Sequence, residues 1–531
     1  MYQPKHAKKK ERVLSCQNPA DVSMDVRDDG VVIEMPRQRL IALFCGLLIA
    51  MLASSLDQTI ISTALPTIVG DLGGADHMQW VITAEVLAMT AVMPIFGKLG
   101  DMMGRKGLYL FALVLLAAGS VIGALSTNMA MMAVGRAIQG AGGGGLVILA
   151  QALVADVIPA RERGTYMGIM GVAFMLPLIL GPLLGGFFTD VVSWHWAFWM
   201  NIPLAAISFV AGVLWIPRMG PQQANVRLDI AGNITLVGAL VSLTVLTTFA
   251  GAEFPWASRE SLVLVALTLA FSLTFVLAER HAVEPVVPLE LFRNRNFVLT
   301  TLAGLFAMVA LMGSLSYLPT YFQISHGLSA TASGFMDLPA GISSTIAGIL
   351  VGVYLSKTGR YKAMMVGSFA LATASMWLLS TIGPDTSLWL IGSYLFTLGF
   401  GVGLSMETLV LIAQNEFPAV MVGTVTAANN FFREVGTTLG ASLVGALFTM
   451  NLKEMVSTAL SSLGGAQELG IDASSITPAL LAQMPPEVSQ AIGAAYADAL
   501  APVFLTVVPM MVTGTLLMCF LKNTPLSKKV E

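Results

Sequence analysis

Four acidic residues interrupt long apolar segments of the sequence: Asp57, Glu85, Asp337 and Glu407. Ionisable residues are costly within a membrane segment and are therefore usually functional there. Proton coupling requires a group that changes its protonation state inside the membrane, and a carboxyl group removed from water can do so near neutral pH. These four side chains are candidates for binding a proton or a cationic substrate.

Each acid also admits a plainer interpretation. Asp57 would cap or pair locally near the outer end of its helix. Glu85 either adds a second carboxylate to the N-terminal half of the cavity, where it favours cationic substrates or shares proton binding, or has no such role. In the second case it pairs with a nearby donor or faces outer water. Asp337 stands early in a predicted helix, where the helix dipole favours an acid. Glu407 approaches the inner end of its segment and would reach cytoplasmic water.

Two arginines, Arg136 and Arg433, also lie inside apolar segments. A guanidinium does not lose its proton in proteins, so Arg136 is expected to act by charge, pairing with a carboxylate that it releases on protonation. Arg433 is followed by Glu434, and adjacent helical residues point in different directions, so these two should have different partners.

The elements that must position these residues are apolar helices. Of 531 residues, 56% are hydrophobic and only 11% are charged, against about a quarter charged in soluble proteins. Apolar runs of about 20 residues predict fourteen membrane-spanning helices. Lipid requires backbone groups to be paired within each segment, which favours an all-α polytopic membrane protein. A net charge of −3 offers no basic face for a nucleic acid.

The basic residues orient the predicted helices. With both termini cytoplasmic, about 24 of the 28 Lys and Arg residues fall in tails or inner loops, as the positive-inside rule expects. Residues 1–36 are polar and predict a disordered tail. Residues 450–499 predict a long outer loop, within which 488–499 would form an amphipathic helix on the membrane surface. Neither a cofactor nor a metal site is predicted.

A short basic segment, 97–106, separates the second and third predicted helices. Its glycines, Gly97 and Gly104 among them, permit a tight inner turn. Asp101 can accept hydrogen bonds at a helix end, and Arg105 and Lys106 fix the orientation.

Three motifs carry a family resemblance. Segment 97–106 (GKLGDMMGRK) resembles the G-x-L-a-D-r-x-G-r-k signature of the major facilitator superfamily. Residues 56–66 (LDQTIISTALP) resemble the first-helix motif of the fourteen-helix drug:proton antiporters, and 136–140 (RAIQG) is similar to their R-x-x-Q-G. The resemblance implies a cytoplasmic gate at Gly97, Asp101, Gly104, Arg105 and Lys106, and proton coupling through Asp57 and Arg136.

The fifth predicted helix carries a further motif, which consists of Gly171, Gly181, Pro182, Gly185 and Gly186. It resembles a motif of antiporters that implies contact with a helix of the C-terminal half and prevention of leak. The residues alone indicate either a hinge, because proline removes a backbone hydrogen bond, or simple close packing.

The resemblance implies a major facilitator fold, with two pseudo-symmetric six-helix bundles (37–216 and 281–521), two inserted helices (217–280) and a C-terminal cytoplasmic tail (522–531). The expected function is export of diverse drugs in exchange for protons, by a non-enzymatic, monomeric protein of the plasma membrane, the inner membrane of a bacterium. Two alternatives stay open: a dedicated exporter of one metabolite, antibiotic or lipid-like compound, and a sensor or scaffold that does not transport.

Overall fold

Membrane-length α-helices make up most of the computed structural model. It describes residues 23–27, 30–72, 78–158, 160–217, 229–250, 254–328, 330–462, 481, 484–522 and 524. The helices are α1 (Arg37–Leu72), α2 (Met78–Met103), α3 (Arg105–Ala124), α4 (Met129–Val157), α5 (Ala160–Phe187), α6 (His195–Trp199), α7 (Asn201–Trp215), α8 (Ile230–Phe249), α9 (Arg259–His281), α10 (Arg295–Ser325), α11 (Ala330–Phe335), α12 (Leu338–Thr358), α13 (Lys362–Leu379), α14 (Leu388–Asn415), α15 (Val422–Ser462) and α16 (Pro486–Cys519).

The membrane-spanning pattern agrees with the sequence. Within the described part of the chain, thirteen helical segments are long and apolar enough to cross a bilayer, and they coincide with thirteen of the predicted segments. The remaining prediction, the fifth helix with Gly171 and Pro182, corresponds to α5, a helix of 28 residues. The prediction of an all-α membrane fold is confirmed.

Buried side chains divide the helices into two groups. The hydrophobic residues of α1–α7, which form the N-terminal half, make two clusters. Those of α10–α16, which form the C-terminal half, make a separate, larger cluster. The groups meet where α5 packs on α12 and where α2 packs on α15.

The inserted helices α8 and α9 pack on each other, and α8 also packs on α2 and α15. Side chains of α9 are largely exposed around the helix, as expected of a helix in lipid. At the inner end, Lys98 of α2 forms a 2.7 Å ion pair with Glu284, which follows α9. The inserted pair is thereby attached to the helix that leads into the 97–106 segment.

The predicted outer loop at 450–499 is wrong over much of its length. Helix α15 continues to Ser462, and α16 begins at Pro486. Residues 488–499 form the first turns of α16, where Ile492 and Tyr496 are buried in the hydrophobic cluster, so they do not lie on the membrane surface. Apolar residues at intervals of three and four continue the buried stripe of the helix. Residues 463–480 lie outside the described part.

The N-terminal tail differs from the expectation, and the start of the C-terminal tail is held by hydrogen bonds. In the N-terminal tail, Ser23–Arg27 and Gly30–Glu34 pair as an antiparallel hairpin, β1 and β2, where disorder is predicted. After α16, the backbone N–H of Thr524 donates to the Tyr361 hydroxyl at 3.0 Å, and that hydroxyl donates to the carbonyl of Lys522. Burial raises the pKa of Tyr361, so its hydroxyl remains a donor.

Candidate functional site: a buried carboxylate–arginine cluster

Glycines in α4 bring its neighbours close to the helix axis. A methyl group added at Gly140 would overlap the backbone of Glu85 in α2, and one at Gly142 would meet Leu116 of α3. The run of glycines at 140–145 matches a nucleotide-binding spacing, but it lies within α4. These glycines are used for packing between helices. This close approach places the side chains of α1, α2 and α4 within reach of one another.

Arg136 of α4 lies between two carboxylates. Its Nη1 donates to Asp57 of α1, and its Nη2 donates to Glu85 of α2. Arg136 and Asp57 are each 1% exposed, and Glu85 is also buried. With all three groups ionised, the cluster carries one net negative charge, which a single proton would neutralise.

Neutral polar side chains complete the cluster. The first carboxylate oxygen of Asp57 accepts from Gln139 Nε2 at 3.0 Å and from Asn201 Nδ2 at 2.6 Å. Both amides also donate to the hydroxyl of Ser120, at 2.8 and 3.2 Å. Charge-assisted hydrogen bonds of this kind stabilise the ionised carboxylate. Five helices, α1, α2, α3, α4 and α7, therefore supply the site.

The position of Asp57 differs from the expectation of a residue near the outer helix end. Helix α1 continues to Leu72, so that Asp57 lies near its middle, and its partners are on other helices. Glu85 pairs with a donor, Arg136, as its plainer interpretation expects, and the same arginine also binds Asp57.

The 97–106 segment joins the two halves at their inner ends. Asp101 accepts from the backbone N–H groups of Gly423 at 2.9 Å and Thr424 at 2.6 Å, in the first turn of α15. The first N–H groups of a helix have no partner within it and attract negative charge. Asp101 therefore caps a helix of the opposite half, and the two halves are in contact here.

Arg105 holds Asp101 in place. Its Nη2 donates to Asp101 at 2.9 Å, while Nη1 contacts Asp156 of α4. Gly104, which precedes α3, has φ of 90°, a conformation that favours glycine. Lys106 donates to the carbonyls of Val213 and Ile216 at the end of α7, both at 2.7 Å.

Replacing Asp101 with Asn should open the inner side. The amide offers only one acceptor to the N–H groups of α15, so we expect the ratio of inner-open to inner-closed protein to rise on the order of tenfold. A pair of spin labels at Met103 and Val420, both exposed near this contact, would report the distance. The control is Asp229→Asn, which weakens the cap of α8 on Gly232. An unchanged distance in Asp101→Asn would contradict this role.

The four glycines of the fifth-helix motif, in the described part of the chain, do not make the contact that the family resemblance implies. Methyl groups added at Gly181 or Gly185 would meet Thr59 and Thr63 of α1, in the same half. At Gly171 and Gly186, no described atom outside the helix's own nearby backbone lies within 4 Å of the position that a methyl group would take. Pro182 lies within α5, which continues through it.

The close contact of α5 with the C-terminal half involves other residues. Gly168 meets the backbone of Gly348, and Gly164 and Gly352 approach each other in the same way, so that α5 and α12 touch through their backbones. Small residues at such positions allow membrane helices to approach closely. The sequence did not indicate these glycines, because only the pairing of the two helices distinguishes them from others.

Alanine at Gly168 and at Gly171 should therefore have opposite consequences. At Gly168 the methyl group would overlap the carbonyl of Gly348, and overpacking costs about 1–3 kcal/mol. At Gly171 the methyl group would meet no described atom of another helix, and the better helix former should leave stability unchanged or raise it by up to about 1 kcal/mol. Thermal unfolding of both variants in detergent measures the difference. Equal losses would contradict the assigned contact.

The other two acids predicted for the site, Asp337 and Glu407, lie apart from the cluster around Arg136. Asp337 occupies the N-cap position of α12, but its side chain makes no capping bond, and its buried Oδ1 has no partner among the described residues. Glu407 is buried and accepts from Gln151 of α4 at 3.4 Å. Glu407 is 6% exposed, so in this structure its side chain does not reach water as the plainer interpretation expects. Arg433 donates to Asn430 and not to the adjacent Glu434.

The fold and this site define a multi-pass membrane protein with ionisable groups buried between its helices. The family model described as "Major Facilitator Superfamily" matches residues 47–441. The chain belongs to the Major Facilitator Superfamily, a family of transporters and not of enzymes.

Relatives and solved structures agree with this assignment. An uncharacterised MFS-type transporter of Mycobacterium tuberculosis is 36% identical, over 96% of this chain and 73% of the relative. The multidrug transporter protein MdtP of Bacillus subtilis is 33% identical, over 92% and 94%. The crystal structure of the human organic anion transporter MFSD10 superposes with a TM-score of 0.58 at 17% identity, over 90% of this chain and all of that one, which supports the fold alone.

Proposed function

We propose that this protein is a proton-coupled antiporter that exports structurally diverse, cationic or amphipathic hydrophobic drugs from the cytoplasm. The observation that carries the proposal is the cluster in which Arg136 binds Asp57 and Glu85. Buried ions in a membrane are costly unless they are paired, and two acids share a single arginine here. One proton or one substrate cation can therefore neutralise the excess charge, so the two compete.

Alternating access follows from this competition. A proton from outside binds the cluster, displaces the substrate and, after the protein returns to the inner-open state, leaves to the cytoplasm. The Asp101 contact with α15 closes the inner side during release. The name of MdtP, a multidrug transporter, supports a broad substrate range, and we place the protein in the plasma membrane, the inner membrane of a bacterium.

Purified protein in liposomes with an imposed pH gradient tests the proposal. A panel of organic cations and neutral drugs should produce proton flux that depends on the added drug, for many members of the panel. Flux for one compound alone would favour a dedicated exporter. No drug-dependent flux across the panel would contradict the proposal and favour a protein that does not transport.

Glu85→Gln should change the pH dependence and the cation selectivity of export. The substitution removes one of the two charges beside Arg136 and leaves Asp57 fully paired, so the excess negative charge disappears. We expect apparent affinity for cations to fall about tenfold, as one lost charge-assisted contact implies. Neutral drugs should be affected less. If export and its pH profile were both unchanged, Glu85 would have no part in coupling.

A further inference from the structure

One face of α15 carries the inner contact between the halves. Residues 423, 427 and 430 follow the helical spacing of three to four and therefore share this face. Gly423 meets Asp101, and Asn430 donates to Gln151 of α4 at 2.7 Å. At 1.5 Å per residue, Asn430 lies about 10 Å further along the helix than Gly423. The Gln151 contact is therefore deeper in the membrane than the Asp101 contact.

Gln151 uses both ends of its amide toward the opposite half. It is fully buried; its Oε1 accepts from Asn430, and its Nε2 donates to Glu407 of α14. Because Asn430 offers a donor and the carboxylate an acceptor, the amide can take only one orientation. A single side chain of the N-terminal half thus connects two helices of the other half.

The Glu407 carboxylate has few partners for a buried ion. Its described hydrogen bond, from Gln151, is long at 3.4 Å, whereas a carboxylate can accept about four. Arg433 interacts with the Glu407 carboxylate through its charge. Its Nη1 donates to Asn430 at 3.1 Å, and its buried Nε has no described partner. Such a carboxylate retains capacity for a further donor.

We propose that Glu407 is an entry subsite for the N–H-bearing cationic group of a substrate arriving from the cytoplasm. When the inner gate closes, the Gln151 amide replaces this cationic group on the Glu407 carboxylate. The proposal rests on the proposed export function. The Gln151 amide and a substrate ammonium compete for the same carboxylate. Closure of the gate therefore releases the cation from Glu407 toward Asp57 and Glu85, which lie on the other half.

Two matched ligands test the subsite. They are an aryl-alkyl primary ammonium and its N,N,N-trimethyl analogue, whose binding to the purified protein is measured by calorimetry. Glu407→Gln should weaken binding of the primary ammonium at least about tenfold and binding of the trimethyl ion less, because only the primary ammonium donates hydrogen bonds. Glu416→Gln is the matched control, since Glu416 ends the same helix but accepts from Asn296 at 2.6 Å. Equal effects in both variants, or none in Glu407→Gln, would overturn the subsite.

A second pair of variants tests the competition. Gln151→Leu should raise the fraction of protein molecules in which labels at Met103 and Val420 are far apart, on the order of tenfold. The same variant should bind the primary ammonium more tightly. Gln414→Leu is the control, because buried Gln414 donates to Thr426 within one half, at 2.8 Å. The same distances and affinities in both variants would refute the exchange. Neither measurement needs a proton gradient, so a failure of proton-driven export would not alter their outcome.

Discussion

Asp57→Asn is expected to reduce transport driven by a pH gradient severely while the protein stays folded. Asparagine keeps an oxygen that can accept from Gln139 and Asn201, so the polar network retains most of its contacts. It cannot bind or release a proton, and Arg136 keeps Glu85 as its partner. Proton-driven export in liposomes should fall on the order of a hundredfold, the lower range for removal of a proton-transfer group.

The matched control lies on the same helix. Asp71 accepts from the indole N–H of Trp194 at 2.8 Å, near the end of α1 and away from Arg136. Asp71→Asn should therefore transport at the rate of the unaltered protein. Exchange of labelled for unlabelled substrate, which needs no net proton movement, should persist in Asp57→Asn. Proton-driven export by Asp57→Asn at the normal rate would show that the proton binds elsewhere.

The sequence predicts the helices well because a lipid environment permits few alternatives. Segments of about 20 apolar residues must be helical there, and an ion within one is conspicuous. Asp57, Glu85 and Arg136 could be named for this reason, and the structure brings them together. The sequence predicts a surface helix at 488–499, whereas Ile492 and Tyr496 are buried, because alanines and scattered polar residues weaken the apolar signal of this segment.

Contacts that depend on pairing between distant helices were not predictable. Ser120, Gln139 and Asn201 are neutral, and such residues are not conspicuous in membrane helices. Gln139 did have a signal in the sequence, since it belongs to the R-x-x-Q-G motif and follows Arg136 by three residues, which places both on one face. Gln151 offered no such signal, since only the approach of α4 to α14 and α15 reveals its partners. Charge identifies the centre of a site, and tertiary packing decides what surrounds it.

Arg136→Leu is expected to destabilise the protein more than loss of either acid. Removing the guanidinium leaves Asp57 and Glu85 buried without their shared cation. Breaking a buried ion pair by removing one partner costs about 3–5 kcal/mol, because the remaining charge is uncompensated. Thermal unfolding in detergent should show this loss. Arg136→Lys, which keeps the charge but cannot reach both acids equally well, should lose less.

Neutralising the acids in the same protein separates charge from shape. The variant with Arg136→Leu, Asp57→Asn and Glu85→Gln has no ion in the cluster, and such replacements of buried ion groups are often neutral for stability. It should regain most of the stability lost in Arg136→Leu and still show no proton-driven export. If stability did not recover, Arg136 would support the helices mainly through packing. Competition between proton and substrate for one excess charge would then lose its physical basis.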